Sequence, residues 1–154
     1  MVLFTALTLS TAALADQPAP RGGPLTVEDT VGDLLDHPAF AGFAQRVLPW
    51  ANRDYARDAE LREIAELLPY HSQVDPQVVV DGLNRMIAEV NAGNRVFFDI
   101  YSEAERRARS DLNETGLFFF RGEPEAPFAV ISPGGGFSYV GAVHEGFLYA
   151  AEIS

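Results

Sequence analysis

The chain has 154 residues, 47% of them hydrophobic and 21% charged, which is ordinary composition for one domain with a core of its own. Twenty-two acids against eleven bases give a formal net charge of −11, a surface that repels phosphate backbones and argues against nucleic-acid binding. Cysteine is absent and the only histidines are His37, His71 and His144. Disulfides and thiolate metal sites are therefore excluded, no ligand-type histidine spacing exists, and neither a metal nor a cofactor is expected.

Residues 1–15, MVLFTALTLSTAALA, carry no charge and end in Ala13-Leu14-Ala15 before the polar Asp16-Gln17-Pro18. The run fits the apolar region and A-x-A site of a secretory signal, although the usual basic start is missing. It is too short for the roughly 20 residues a membrane-spanning helix needs, so the expected location is secreted or periplasmic, with no stable membrane span. Residues 16–24, DQPAPRGGP, read as a Pro/Gly linker.

A helical region is expected over residues 25–93. Thr26 can cap a first helix in which Val27, Val31, Leu34 and Leu35 share a face. His37-Pro38 interrupts it, and a second helix is expected from Pro38 to about Leu48, with Phe40, Phe43, Ala44 and Val47 inward. Residues 58–68 form a third amphipathic pattern that stops at Pro69. The clearest helix follows. Asp75 caps it, Pro76 opens it, Val79, Leu83, Met86, Ile87 and Val90 make its stripe, and Gly93 suits the left-handed end position.

The period then changes, and strands are expected at 95–101, 116–120 and 128–131. The last is almost wholly apolar, as for a strand buried on both faces. Residues 102–114 read as a solvated loop or short helix. They hold Arg106, Arg107 and Arg109, the densest group among bases that are all arginine, with acids on both sides. Residues 143–153 read as the start of a helix. The first two-thirds of the chain are thus read as helical, and the remainder as strands closed by a helix.

The stretch Ser132-Pro133-Gly134-Gly135-Gly136-Phe137-Ser138-Tyr139-Val140-Gly141, followed by His144-Glu145, concentrates the chemistry. Ser138 with His144 as a catalytic pair is disfavoured, because Val140 stands where a nucleophile elbow needs a small residue. A phosphate cradle is disfavoured too: neither G-x-x-x-x-G-K-[ST] nor G-x-G-x-x-G is present. Two readings stay open. The glycines are a purely structural turn with positive φ, or their amides form an oxyanion hole, where a carbonyl oxygen comes close to fixed N–H donors. A lone histidine opening a helix is more often a structural partner than a catalyst, and His144 and His71 are both read that way first.

Over residues 115–147 the run TGLFFFRG, then APFAVISPGGGFSYVG, then HEGF resembles bacterial lipase/esterase-like α/β-hydrolases. A looser likeness extends upstream through Leu48-Pro49-Trp50, residues 67–72 and Asp75-Pro76. The resemblance implies that residues 94–154 are the N-terminal part of an α/β-hydrolase domain preceded by the helical extension. Gly134, Gly135 and Gly136 then match the glycines of an HGGG-type oxyanion loop, with Pro133 in place of the His. Phe137 and Tyr139 become candidates for substrate contact, and a small-molecule ester becomes the expected substrate.

None of the seven serines, Ser10, Ser72, Ser102, Ser110, Ser132, Ser138 and Ser154, stands in G-x-S-x-G. The resemblance therefore implies an N-terminal portion that is inactive alone and whose partner is the missing C-terminal part of the same fold. It also implies a gap in the sheet between 116–120 and 128–131, so that the chain alone is poorly stable or pairs these strands as a hairpin. The rival class is a non-catalytic exported binding or interaction protein that keeps a hydrolase-like loop.

Overall fold

The computed structural model describes residues 22–67, Tyr70 and 73–154. The leader and most of the linker read at residues 1–24, and His71, lie outside the described residues. The fold is mainly helical, with one small antiparallel sheet, so the α/β expectation holds only at the level of mixed helix and strand.

The first helix, α1 (Val31–Asp36), starts later than expected, because the capping residue is Thr30 rather than Thr26. Thr30 Oγ1 accepts the Asp33 amide at 3.1 Å, and Asp33 Oδ2 accepts the Thr30 amide at 2.8 Å. This reciprocal pair satisfies two amides that a helix start leaves open. Thr26 instead sits in a turn closed by Asp29. The preceding backbone lies against residues 57–62, through Val31 N to Ala59 O at 2.9 Å and Leu61 N to Asp29 O at 2.7 Å.

The expected second helix is two short 3₁₀ turns, Pro38–Phe40 and Ala44–Val47. Gly42, at φ +86°, breaks the helix between them; glycine reaches that conformation without steric cost. Leu61–Leu67 is also a 3₁₀ segment. The expected long helix is present as α2 (Pro76–Asn91), capped by the Asp75 carboxylate on the Gln77 amide. It ends as anticipated: Gly93 has φ +87°, Gly93 N donates to Val90 O, and Asn94 N to Glu89 O, the paired bonds of a Schellman termination.

Helix α2 is the axis of the core. Val79, Val80, Leu83, Met86 and Ile87 are all buried on it, against Phe40, Leu61, Ile64 and Phe147 among others. The short β1 (Phe97–Asp99) pairs with β2 (Gly116–Phe118), with Phe97 opposite Phe118 and Asp99 opposite Gly116. Between them lie α3 (Glu103–Ala108), capped by Ser102, and a 3₁₀ turn, Ser110–Glu114. After a π-helical turn, Ala142–Gly146, the final helix α4 (Phe147–Ile153) packs on α2.

The strand expected at 128–131 does not form. From residue 126 to 135 the chain runs without turn or bend, and its backbone from 128 to 132 makes no hydrogen bond among the described residues. Phe128 is 90% exposed and Val130 77%. The hairpin with 116–120 is absent as well: β2 pairs with β1 along one edge, and residues 128–131 make no bond to the other among the described residues. An apolar run is compatible with a buried strand, but a strand also needs a neighbour to accept its backbone bonds.

Two expectations follow. Phe97→Ala should cost about 3–5 kcal/mol in urea unfolding, the usual range for a buried ring, whereas Phe128→Ser should leave the midpoint nearly unchanged. The Thr30 bonds hold the Asp33 carboxyl below its ordinary value, so its contribution is present above the unfolded value of 3.8 and is lost as pH falls through the lower folded value. Thr30→Ala should therefore destabilise the protein more at pH 6 than at the acid end of a thermal-melting series.

Candidate oxyanion loop

The glycine loop connects the unpaired stretch at 128–132 to the π-helical turn before α4. Its base is closed by Gly141 N donating to Gly134 O at 2.9 Å. Its tip is a turn in which the Ser138 amide donates to Gly135 O at 2.9 Å and the Tyr139 amide to the same oxygen at 3.3 Å. Gly136 and Phe137 both lie in the left-handed region, at φ +56° and +62°. Gly135 is required by contact: a Cβ there would stand 1.7 Å from the Tyr139 carbonyl oxygen. At Gly136 there is room for a methyl group, and the requirement is conformational.

The loop is also tied to the N-terminal region. Val140 N donates to Pro49 O at 3.0 Å, and the Tyr139 ring meets Trp50 edge-on at 5.6 Å between centroids. Leu48-Pro49-Trp50 and the glycine loop, both parts of the sequence resemblance, thus come together in space. Phe137 does not join this contact; its side chain is fully exposed.

The amides of the loop divide into two kinds. Gly134 N donates to Glu145 Oε2 at 2.6 Å. The amides of Gly135, Gly136 and Phe137 have no acceptor among the described residues. A carboxylate oxygen is thus already seated on the first glycine amide, and three successive donors beyond it are available. No local sequence signal marks Glu145. It lies eleven residues from Gly134 and reaches it only because the turn Ala142–Gly146 folds back, with Glu145 N bonded to Gly141 O at 2.8 Å. The close approach continues at Gly146, where a Cβ would come 2.9 Å from Pro133 Cγ.

Ser138 and His144 are not brought together as a catalytic pair. His144 is 1% exposed, and its Nε2 lies 2.8 Å from the Ile64 carbonyl, to which it must donate. His37 is buried too, with Nε2 toward Gly23 O at 2.9 Å and Nδ1 accepting the Ala39 amide at 3.2 Å. Among the described residues no group of His, Cys, Asp and Glu is placed to hold a metal ion, and no helix is long and apolar enough to cross a membrane. Two surface depressions are lined by residues from 35 to 114, and neither includes the glycine loop.

With this geometry in view, comparison with known proteins is blank: no family model, no curated protein and no solved structure matches the chain.

The contact at Gly135 makes a sharp test of the loop. Gly135→Ala should open the tip, read as faster hydrogen exchange at the Ser138 and Gly141 amides. Gly136→Ala should cost about 1–2 kcal/mol, the usual penalty for a side chain in the left-handed region, and keep that protection.

Proposed function

We propose that this chain is the N-terminal part of an exported serine α/β-hydrolase that hydrolyses acyl esters, and that the glycine loop supplies backbone donors to the oxyanion. The observation that carries the reading is the run of three amides, Gly135, Gly136 and Phe137, that have no acceptor among the described residues, beside a Gly134 amide that already holds a carboxylate oxygen. Acyl transfer places negative charge on the substrate's carbonyl oxygen. Fixed N–H groups meet that charge without reorganising, and one such donor is commonly worth about 10²–10³ in kcat. Phe137 and Tyr139 flank the donors and would contact the acyl or alcohol portion. The serine, its base and its acid are not among these residues, so the 154-residue chain contributes only the electrophilic half of the site.

A second reading is favoured by one feature of the same loop. Because Glu145 occupies the Gly134 amide, the loop is also consistent with a non-catalytic exported binding protein in which the glycines are a structural turn. Translation of the genomic sequence beyond codon 154, followed by assay of the product on p-nitrophenyl acetate and butyrate, separates the two. The catalytic reading expects a downstream strand ending in G-x-S-x-G, ester hydrolysis by the longer chain, loss of that activity when its serine is replaced, and no activity in residues 1–154 alone. A downstream sequence without such a serine, or an inert full-length product, overturns it.

A further inference from the structure

A separate hollow gathers positive charge in a chain whose net charge is −11. Three arginines from different segments converge on β1, a strand of three residues and so only about 7–10 Å of chain. Arg46 lies over the Phe97 ring, 5.2 Å from its centroid. Arg95 Nε donates to the Phe97 carbonyl at 2.7 Å. Arg106 Nη1 stands 3.1 Å from Asp99 Oδ2. All three line one depression of about 460 Å³, and Asp99 is its only acid.

This arrangement is not forced by a shortage of carboxylates, since acids outnumber bases two to one. Other arginines take acidic partners: Arg57 with Asp36, Arg62 with Glu28, Arg107 with Glu103, Arg109 with Asp111, Arg121 with Glu89. Among the described residues four arginines have none: Arg53, over the Trp50 ring, Arg85, on two backbone carbonyls, and Arg46 and Arg95, the two that line this depression. Arg46 is held by neutral carbonyls, of Asn113 through Nε at 2.9 Å and of Gly42 through Nη1 at 3.1 Å; these orient its charge without cancelling it. The terminal nitrogens of Arg95 make no hydrogen bond among the described residues. Arg106 Nε is buried without an acceptor among the described residues. Three like charges held around one short strand repel each other, and one carboxylate offsets only part of that.

The rest of the lining is apolar, with Phe43, Val90, Val96 and Phe97 on its walls. A site of this volume takes a small molecule, with apolar walls for its body and a few polar groups to orient it. We infer that the hollow binds a small organic carboxylate, its charged end on Arg95 beside Arg46 and Arg106 and its apolar body against Phe43 and Val96. A guanidinium presents two parallel N–H donors to a carboxylate; that of Arg95 lies over the Phe98 ring, 4.5 Å from its centroid, which leaves its outer pair to give. The hollow shares no residue with the glycine loop, so the inference stands apart from the ester-hydrolase reading.

The test is titration of the full 154-residue chain with benzoate, followed by calorimetry and by arginine side-chain and amide NMR shifts. Benzyl alcohol and inorganic phosphate serve as the neutral and the purely ionic probes. Saturable binding of benzoate is expected, with shifts at Arg95 and Phe97, no binding of benzyl alcohol, and weaker binding of phosphate. Affinity should fall as salt rises from about 20 mM to about 300 mM, as the screening length shortens. Arg95→Gln, an exposed position, should keep the melting temperature and weaken benzoate at least about tenfold, while Arg107→Gln on the outer side of α3 should leave it unchanged. No saturation by about 10 mM benzoate, equal affinity in Arg95→Gln, or phosphate binding as tightly as benzoate would overturn the inference.

Discussion

The packing of the Phe97 ring is the constraint on which most of this structure rests. The ring stacks on Phe43 with centroids 4.8 Å apart and planes 10° from parallel, and Phe118 meets it edge-on at 5.1 Å. Its Cζ occupies the space of a side chain at Gly116, where a Cβ would come within 2.0 Å. Gly116 is therefore glycine for close approach, not for an unusual φ. From Phe97 the aromatic contacts continue both ways, through Phe43 to Phe40 and through Phe118 to Phe147 and Phe120. A two-stranded sheet of three-residue strands is marginal by itself. Here the rings tie it to the N-terminal 3₁₀ turns on one side and to α4, and so to α2, on the other.

That aromatic frame positions both concentrations of polar chemistry. Phe97 carries Arg46 over its face and receives Arg95 at its carbonyl, while Asp99 at the end of the same strand takes Arg106. Phe147 seats the start of α4 on α2, and the turn just before it delivers Glu145 to Gly134. Both places offer donors to anionic oxygen in a protein that is strongly acidic overall. The surrounding charge slows the approach of an anion, but that field fades over about 8 Å at physiological ionic strength. Hydrogen bonds at contact distance decide what stays bound.

What could be read from the sequence was what depends on neighbours along the chain. Helix α2 has a capping Asp75, a Pro76 start, an unbroken stripe and a terminal Gly93, and each signal acts within one or two turns. The expected helix from Pro38 to Leu48 failed because Gly42 takes φ +86° and divides it; its apolar spacing is the same whether the backbone is α-helical or two tight turns. Residues 128–131 had the composition of a buried strand and no partner. The glycine loop was visible from composition alone, but Glu145 on the Gly134 amide was not, because eleven residues and a π-helical turn separate them. By sequence Arg106 groups with Arg107 and Arg109 as a solvated run. Successive residues on a helix point about 100° apart, so α3 turns Arg107 toward Glu103 on its own surface and Arg106 inward to Asp99.

Phe137 is the residue that the fold by itself does not account for. It is a bulky residue at φ +62° and fully exposed. The backbone position costs on the order of 1–3 kcal/mol, and the exposed ring forgoes the burial that aromatic side chains usually contribute. Packing within the described residues compensates for neither. Strain of this kind persists where the surroundings impose it, and it clusters at sites that bind or react. The bonds from Ser138 and Tyr139 to Gly135 O and from Gly141 to Gly134 O hold the loop in shape around Phe137. The left-handed turn leaves three amides in a row without acceptors among the described residues, and the ring stands beside them. In the proposed hydrolase the same bound ester would explain both features, with its carbonyl oxygen meeting the amides and its apolar part covering the ring.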